Sequence, residues 1–442
     1  MKFNKWTLGL AAVGAVSLAS AARAEEKANV VQTALSATTL SGYVDTSVEW
    51  NPGTGNAHVP NYAFNTPGKA DGFNLDVIKV SLEHPLDESE WAAGYKVDLI
   101  YGPDANFFGT SPIGGIAATD FAIKQAYVTV RTPIGNGIDW KLGVFDSIIG
   151  YESFDAVNNP NFTRSYGYTV EPTTHTGLLG TYKVSDAISV TAGIANTTGP
   201  IIGGETINPA GIGGAPQVVI GRSNPPKAES YKTYTGAVAL TAPQDWGFLA
   251  GSSAYVGVIN GWNGGAAIAG VQDNFYAGVT LNTPVTGLKV GTSYDYVGTQ
   301  ANTYVNAFGG TAVTKKTWAD DVAMYASYQA TEKLSVHARG EYLWQDDGAN
   351  GGAQPVAGPA QIFALTGTIQ YDLWKNVLSR LEVRWDHQAG TAYGFSGSDK
   401  SYGGTLGSLG GINAGIPSTV GTQGAPGLKN SWLVAANLIY KF

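Results

Sequence analysis

Along most of the chain apolar and polar residues alternate one by one, the period that sends successive side chains to opposite faces of a β-strand. The segment SWLVAANLIYKF (431–442) shows it best: Trp432, Val434, Ala436, Leu438, Tyr440 and Phe442 share one apolar face, with Ser431, Asn437 and Lys441 on the other. An apolar face with rings at both ends suits a strand that crosses a bilayer, where aromatic residues sit at the two interfaces. In 40–50, Leu40, Gly42, Val44, Thr46, Val48 and Trp50 oppose Ser41, Tyr43, Asp45, Ser47 and Glu49. In 91–101 a face of Trp91, Ala93, Tyr95, Val97, Leu99 and Tyr101 opposes Lys96 and Asp98. In 377–386 Val377, Ser379, Leu381, Val383 and Trp385 oppose Arg380, Glu382, Arg384 and Asp386. The pattern predicts further strands at 73–83, 121–131, 138–145, 175–182, 188–197, 231–241, 248–260, 273–282, 288–298, 317–329, 334–343 and 361–371, sixteen with 431–442. In 73–83 the apolar face switches between Val77 and Ile78, which predicts a bulge.

The connections between these strands alternate short and long, with 84–90, 132–137, 183–187, 242–247, 283–287, 330–333 and 372–376 as the short ones. One rim of turns and one rim of loops is the asymmetry of an outer-membrane barrel, whose turns face the periplasm. Trp91, Trp140, Trp246 and Trp374 fall near the turn rim and Trp50, Trp318, Trp344, Trp385 and Trp432 near the loop rim, with Trp262 in a loop. Two such belts suit a slab of lipid. The fold expected is all-β: a 16-stranded antiparallel transmembrane β-barrel over 40–442, with short periplasmic turns and long outer loops. The final strand resembles the terminal strand of bacterial outer-membrane barrels, whose last aromatic (here Phe442) belongs to the signal read by the assembly machinery.

Composition agrees: of 442 residues only 14% are charged, with 59 glycines and 11% aromatics, against about 25% charged in soluble proteins. Residues 1–24 read as a cleaved signal peptide, with a basic start, an apolar core over 6–20 and an Ala-Arg-Ala site at 22–24. A short periplasmic lead, 25–39, follows. The absence of cysteine excludes disulfides, thiolate metal sites and a lipid-modified N-terminus. Removing Lys2, Lys5 and Arg23 leaves 23 basic against 34 acidic residues, a net of −11, which argues against nucleic acid as a partner.

A lumen enclosed by sixteen strands is too wide for side chains to fill, so what narrows it decides what passes. The candidate is the connection after the fifth strand, 146–174. The connections near 51–70, 198–230 and 387–430 are rich in Gly, Pro, Asn and Thr and read as mobile outer loops. This one instead carries Tyr151, Phe154, Phe162, Tyr166 and Tyr168 with few glycines, as a loop folded onto the inner wall would. Its Glu152, Asp155, Arg164 and Glu171, facing Arg339, Arg380 and Arg384 of the strand segments opposite, form the candidate constriction. The hypothesis is a transverse field from loop acids to wall arginines, focused by a low-dielectric cleft; the plainer reading is that these charges wet the lumen and pin the loop. Unchanged ion selectivity in Arg380→Ala and Arg384→Ala channels would remove the field.

The chain resembles a known family through VDLIYG (97–102), KQAYV (124–128), PIGNGIDWKLGVFDSIIGYE (133–152), NNPNFTRSY (158–166), EP (171–172) and HTGLLGTY (175–182). It is similar to the "putative β-barrel porin-2" family, whose members resemble a channel-forming outer-membrane protein. The resemblance implies a porin for passive diffusion of ions and small hydrophilic solutes in the outer membrane of a Gram-negative bacterium. General porins, similar only in architecture, also constrict at the loop after strand five. Outer-membrane lipid is the implied surrounding, and a homotrimer stays open.

Other chemistry is weaker. No enzymatic site, cofactor or metal is expected; of the histidines, only His175 in EPTTHTG (171–177), with a neighbouring Ser, suggests a barrel hydrolase, and a hydrogen-bonded His near the constriction is the plainer reading. The acidic pairs Asp320–Asp321 and Asp346–Asp347 could bind Ca²⁺ at the outer rim, although solvated acids are the commoner case. GFSGSDKS (394–401) lacks the glycine of a phosphate loop at Asp399. An adhesin or structural barrel is the remaining alternative, distinguished by a closed lumen in a planar bilayer.

Overall fold

The computed structural model describes residues 31–32, 38–56, 59–65, 69–87, 89–107, 120–196, 232–263, 270–300, 302–305, 311–314, 316–347, 355–356, 358–390, 395 and 428–442. Residues 1–24, expected to be a signal peptide, the stretch 198–230 and most of 387–430 lie outside them.

Sixteen antiparallel strands close into one barrel. In chain order they are β1 (Thr39–Trp50), β2 (Gly72–His84), β3 (Ala93–Tyr101), β4 (Phe121–Thr132), β5 (Ile138–Asp146), β6 (Thr174–Lys183), β7 (Ile188–Ala195), β8 (Thr233–Thr241), β9 (Ser253–Asn263), β10 (Gly270–Asn282), β11 (Leu288–Thr299), β12 (Thr317–Gln329), β13 (Leu334–Gln345), β14 (Gln361–Trp374), β15 (Val377–Gln388) and β16 (Asn430–Lys441). Each expected strand is present. Val31–Gln32 adds a short pairing to Leu40 and Thr39, and Asn302–Val305 pairs Thr311–Thr314 beyond the rim.

The burial pattern is inverted relative to a soluble protein, as a lipid-surrounded barrel requires. On β16 Ser431, Leu433, Ala435, Asn437 and Ile439 point inward and are buried, while Trp432, Leu438 and Tyr440 are exposed. On β15 Arg380, Glu382, Arg384 and Asp386 point inward. Trp91, Trp246 and Trp374 project outward at the turn rim, and Trp50 and Trp432 at the loop rim.

Closure depends on the chain end. β16 pairs β1 from Val434 opposite Trp50 to Lys441 opposite Tyr43. Phe442 and Gly42 then exchange both main-chain bonds at 3.0 Å. A Cβ at residue 42 would lie 2.7 Å from the Phe442 ring, so glycine lets the terminal aromatic lie flat across the seam.

Bulges aim charge into the lumen. In β2 the register passes from Val77 to Leu75, leaving Asp76 unpaired and, with Val77, buried. The expected bulge is therefore there, displaced toward Asp76. An equivalent shift in β4 turns both Lys124 and Gln125 inward.

Two boundaries differ from expectation. The ninth strand begins at Ser253, not at 248, because Gly247 (φ +61°) and Gly251 (φ +77°) bend the apolar run 247–251 into a turn with a short 3-10 helix. At the other rim β9 and β10 continue through Trp262, paired with Val271, so only 264–269 separates them. Trp262 belongs to a strand, and this connection is as brief as a turn. The ladder there overrides the loop-like Gly/Asn composition.

Candidate functional site: a loop held across the lumen

The chain between β5 and β6, residues 147–173, folds into the barrel. Gly150, with φ +125°, starts the inward bend. Ala156–Asn158 forms a 3-10 turn, and a short helix α1 (Tyr166–Val170) follows. Ser165 caps α1 by accepting the Tyr168 N–H at 3.0 Å.

Its first part docks by shape. Ile148, Ile149 and Tyr151 are buried in a cluster with Leu179, Tyr255 and Tyr276. Tyr151 stacks on Tyr325 of β12 with ring centres 4.1 Å apart. The wall leaves room at glycines: a Cβ at Gly257 would meet Ile149 at 2.6 Å, and one at Gly291 would collide with the Tyr151 hydroxyl.

The rest is held by polar groups of the wall. On β13 the Arg339 guanidinium pairs Glu152 at 2.8 Å and Glu341 at 3.0 Å, and it donates to the Thr163 carbonyl at 2.8 Å. On β15 Glu382 accepts the N–H groups of Phe162 at 2.6 Å and Thr163 at 2.9 Å. Arg384 donates to the Arg164 carbonyl at 2.6 Å and pairs Asp386 at 2.8 Å. Arg380 donates to the carbonyls of Ala156 at 2.8 Å and Asn159 at 2.6 Å. At α1 the Tyr166 N–H reaches Glu341 at 2.6 Å and the Gly167 N–H reaches Asp321 of β12 at 3.1 Å. Charged partners make these bonds stronger than neutral ones.

The candidate residues divide. Glu152 lies against Arg339 of β13, whereas Asp155 turns to Lys79 of β2 at 2.8 Å. Burial, the largest single influence, would raise the Asp155 carboxyl; the Lys79 ammonium and its hydrogen bond, together with the Lys124 charge, outweigh it and hold the group below the ordinary carboxylate range. Glu171 meets a carboxylate, Asp295 of β11; burial first, then that neighbouring acid, raises it well above the usual value. Arg164 turns back on its own loop and donates to the carbonyls of Ser153, Phe154 and Phe162. Arg339, Arg380, Arg384 and Glu152 are all buried beneath the loop.

Sequence reasoning missed part of the first long connection. Residues 59–65 do not behave as a solvent-exposed outer loop: Val59, Tyr62, Ala63, Phe64 and Asn65 are buried, and Tyr62, Ala63 and Phe64 pack against the constriction-candidate loop. Just beyond, Lys69 pairs Asp104 at 2.6 Å. The signal was available, since VPNYAFN (59–65) is aromatic and free of glycine, like the loop it meets.

The acidic pair at 320–321 is split by the strand's alternation. Asp320 accepts from Tyr294 Oη at 2.6 Å while Asp321 points inward to Gly167, so the two cannot share a cation. Among the described residues no group of three or more His, Asp or Glu has the spacing of a metal site. His58 and all of 394–401 except Phe395 lie outside the described residues. His337 spends one ring nitrogen on Ser327 at 2.7 Å and the other on Ser335 at 3.1 Å, leaving none for an orienting carboxylate.

Comparisons with known proteins bear on the family and the fold. A family model described as "Putative beta-barrel porin-2, OmpL-like" matches residues 37–412. The chain belongs to that family. This porin also shares its fold with solved outer-membrane proteins. The outer membrane channel DcaP of Acinetobacter baumannii matches with a TM-score of 0.52 at 14% identity, over 92% of this chain and 97% of that one. OprB of Pseudomonas putida gives 0.51 at 9% identity, over 92% and 94%. An anion-selective porin from Comamonas acidovorans gives 0.50 at 13% identity, over 92% and 99%. No curated protein sequence matches the porin significantly.

Proposed function

We propose that this porin lets ions and small hydrophilic solutes diffuse passively through its barrel, and that the loop 147–173 forms the constriction. The observation that carries the reading is the loop's course inside the barrel, bonded to wall residues from β2 through β15. In this reading Glu152, Asp155, Arg164, Glu171, Arg339, Arg380 and Arg384 act as anchors that set where the loop lies. The burial of Glu152, Arg164, Arg339, Arg380 and Arg384 favours anchoring over direct contact with permeating ions, and Asp155 and Glu171 are half-buried. The turn rim faces the periplasm, lipid covers the outer wall, and Phe442 presents the assembly signal. We read the barrel as a channel and not as a catalyst, a reading supported by its membership of a porin family.

Reconstitution tests this. Ohmic single channels and swelling of liposomes in small sugars are expected; a barrel that passes neither returns the adhesin reading. Arg380→Ala and Arg384→Ala separate anchoring from a transverse field. Anchoring predicts altered conductance and noise with little change in selectivity, and a field predicts the reverse. Cross-linking in native membranes checks for a homotrimer.

A further inference from the structure

Residues 59–65 sit over the loop just described and are held in another way. The later part of the loop is tied to the wall by charged bonds; this segment rests on the loop mainly by ring packing. Phe64 meets Phe154 edge-on at 5.6 Å and Tyr168 at 5.8 Å, and Tyr62 meets Tyr166 edge-on at 6.2 Å. The Arg384 guanidinium lies 3.8 Å from the Tyr62 ring centre and that of Arg164 5.5 Å from the Phe64 ring centre, favourable positions for cations over π faces. Its main chain reaches the loop where the Ala63 N–H donates to Thr169 Oγ1 at 2.9 Å.

The segment is also braced within itself. The Asn65 N–H donates to the Tyr62 carbonyl at 3.0 Å and Asn65 Nδ2 to the Pro60 carbonyl at 2.6 Å. Phe64 adopts φ +67°, left-handed backbone that a bulky residue takes only under constraint. A cavity of about 10 Å³, room for about one water, lies against Tyr62, Phe64, Lys69, Phe162 and Leu433. A segment braced by its own bonds, strained at Phe64 and seated on the loop by rings is a compact element whose seating bears on the passage beside it.

We propose that residues 59–65 are a second permeability-determining element, a lid that seats Tyr62 and Phe64 on the constriction loop and sets by its seating how large a solute passes. This rests on the loop being the constriction.

The chain has no cysteine, so a paired substitution is clean. In full-length porin in planar bilayers, Ala63→Cys with Thr169→Cys, bridged by oxidation or a short bis-maleimide, is expected to hold the channel at its lowest conductance. For the oxidised form, reductant restores wild-type switching. Tyr62→Ala and Phe64→Ala, which need no cross-link, are expected to lose that low level and admit larger polyethylene glycols. Wild-type conductance and polymer cut-off in the bridged and both alanine channels would overturn the lid. Arg339→Ala, which loosens the loop itself, tells the two failures apart. If it alters conductance while the lid variants do not, only the lid is wrong; if nothing changes, the constriction reading fails as well.

Discussion

On the β9–β12 side of the barrel Ile149 and Tyr151 fill places that Gly257 and Gly291 leave open. On the β13–β15 side Arg339, Glu341, Glu382 and Arg384 hold the same loop by charged hydrogen bonds. The first dock is one of shape and tolerates no added volume. The second is one of charge and tolerates a missing partner poorly, because the remaining buried charges would lose a cation or anion that their hydrogen bonds do not replace. A loop fixed by both has few ways to drift, and that suits a constriction.

Breaking the charged side should have the largest effect. Arg339→Ala leaves Glu152 and Glu341 buried without their shared cation, a loss on the order of 3–5 kcal/mol. Loop proteolysis should accelerate strongly while the barrel keeps its heat-modifiable gel mobility. If the loop is as protected as before, the charged dock does not hold it. Overfilling the shape side comes next: Gly291→Leu pushes against the Tyr151 hydroxyl, and overpacking of this kind costs about 1–3 kcal/mol. Tyr151→Ala in the same chain should recover part of that loss. Equal protection in the single and double variants would show that the glycine gap is incidental.

The smallest effect is on pH, and the loop's two stretches should respond oppositely. Asp155 is held below its usual value by Lys79, so its contribution is complete near neutrality and is lost as pH falls through that lowered value. Glu171 is raised by burial and by Asp295, so its contribution is complete in acid and is lost as pH climbs through the raised value. Glu152 of the loop and Asp321 of the wall, both acids, add to the field that raises Glu171. Asp155→Asn should flatten the acid limb of loop protection and Glu171→Gln the alkaline limb; limbs that stay put in both variants would refute the assignments.

The contrast also explains what could be read in the letters. Sixteen strands were legible because each face of a wall in lipid must repeat every second residue. The loop's inward course was legible from Tyr151, Phe154, Phe162, Tyr166 and Tyr168, rings that need a surface. Its fastening was not, because Arg380, Glu382 and Arg384 bond loop main chain, and main-chain groups look alike at every residue. Only pairs of side chains, such as Glu152 with Arg339, could be guessed from charge, and even there Asp155 found Lys79 instead. The boundary at 247–251 was hidden because glycine permits strand or turn, and only its φ decides. Residues 59–65 were passed over because the composition of the whole 51–70 stretch masked a short aromatic core.

The central claim is that the loop inside the barrel sets the width of the channel. Polymer exclusion measures that width directly, comparing the wild type with a variant in which residues 151–170 are replaced by a short Gly/Ser linker. The account predicts that the variant stays ohmic, conducts more and admits larger polyethylene glycols. An unchanged conductance and size cut-off, in a barrel of unchanged heat stability, would contradict it.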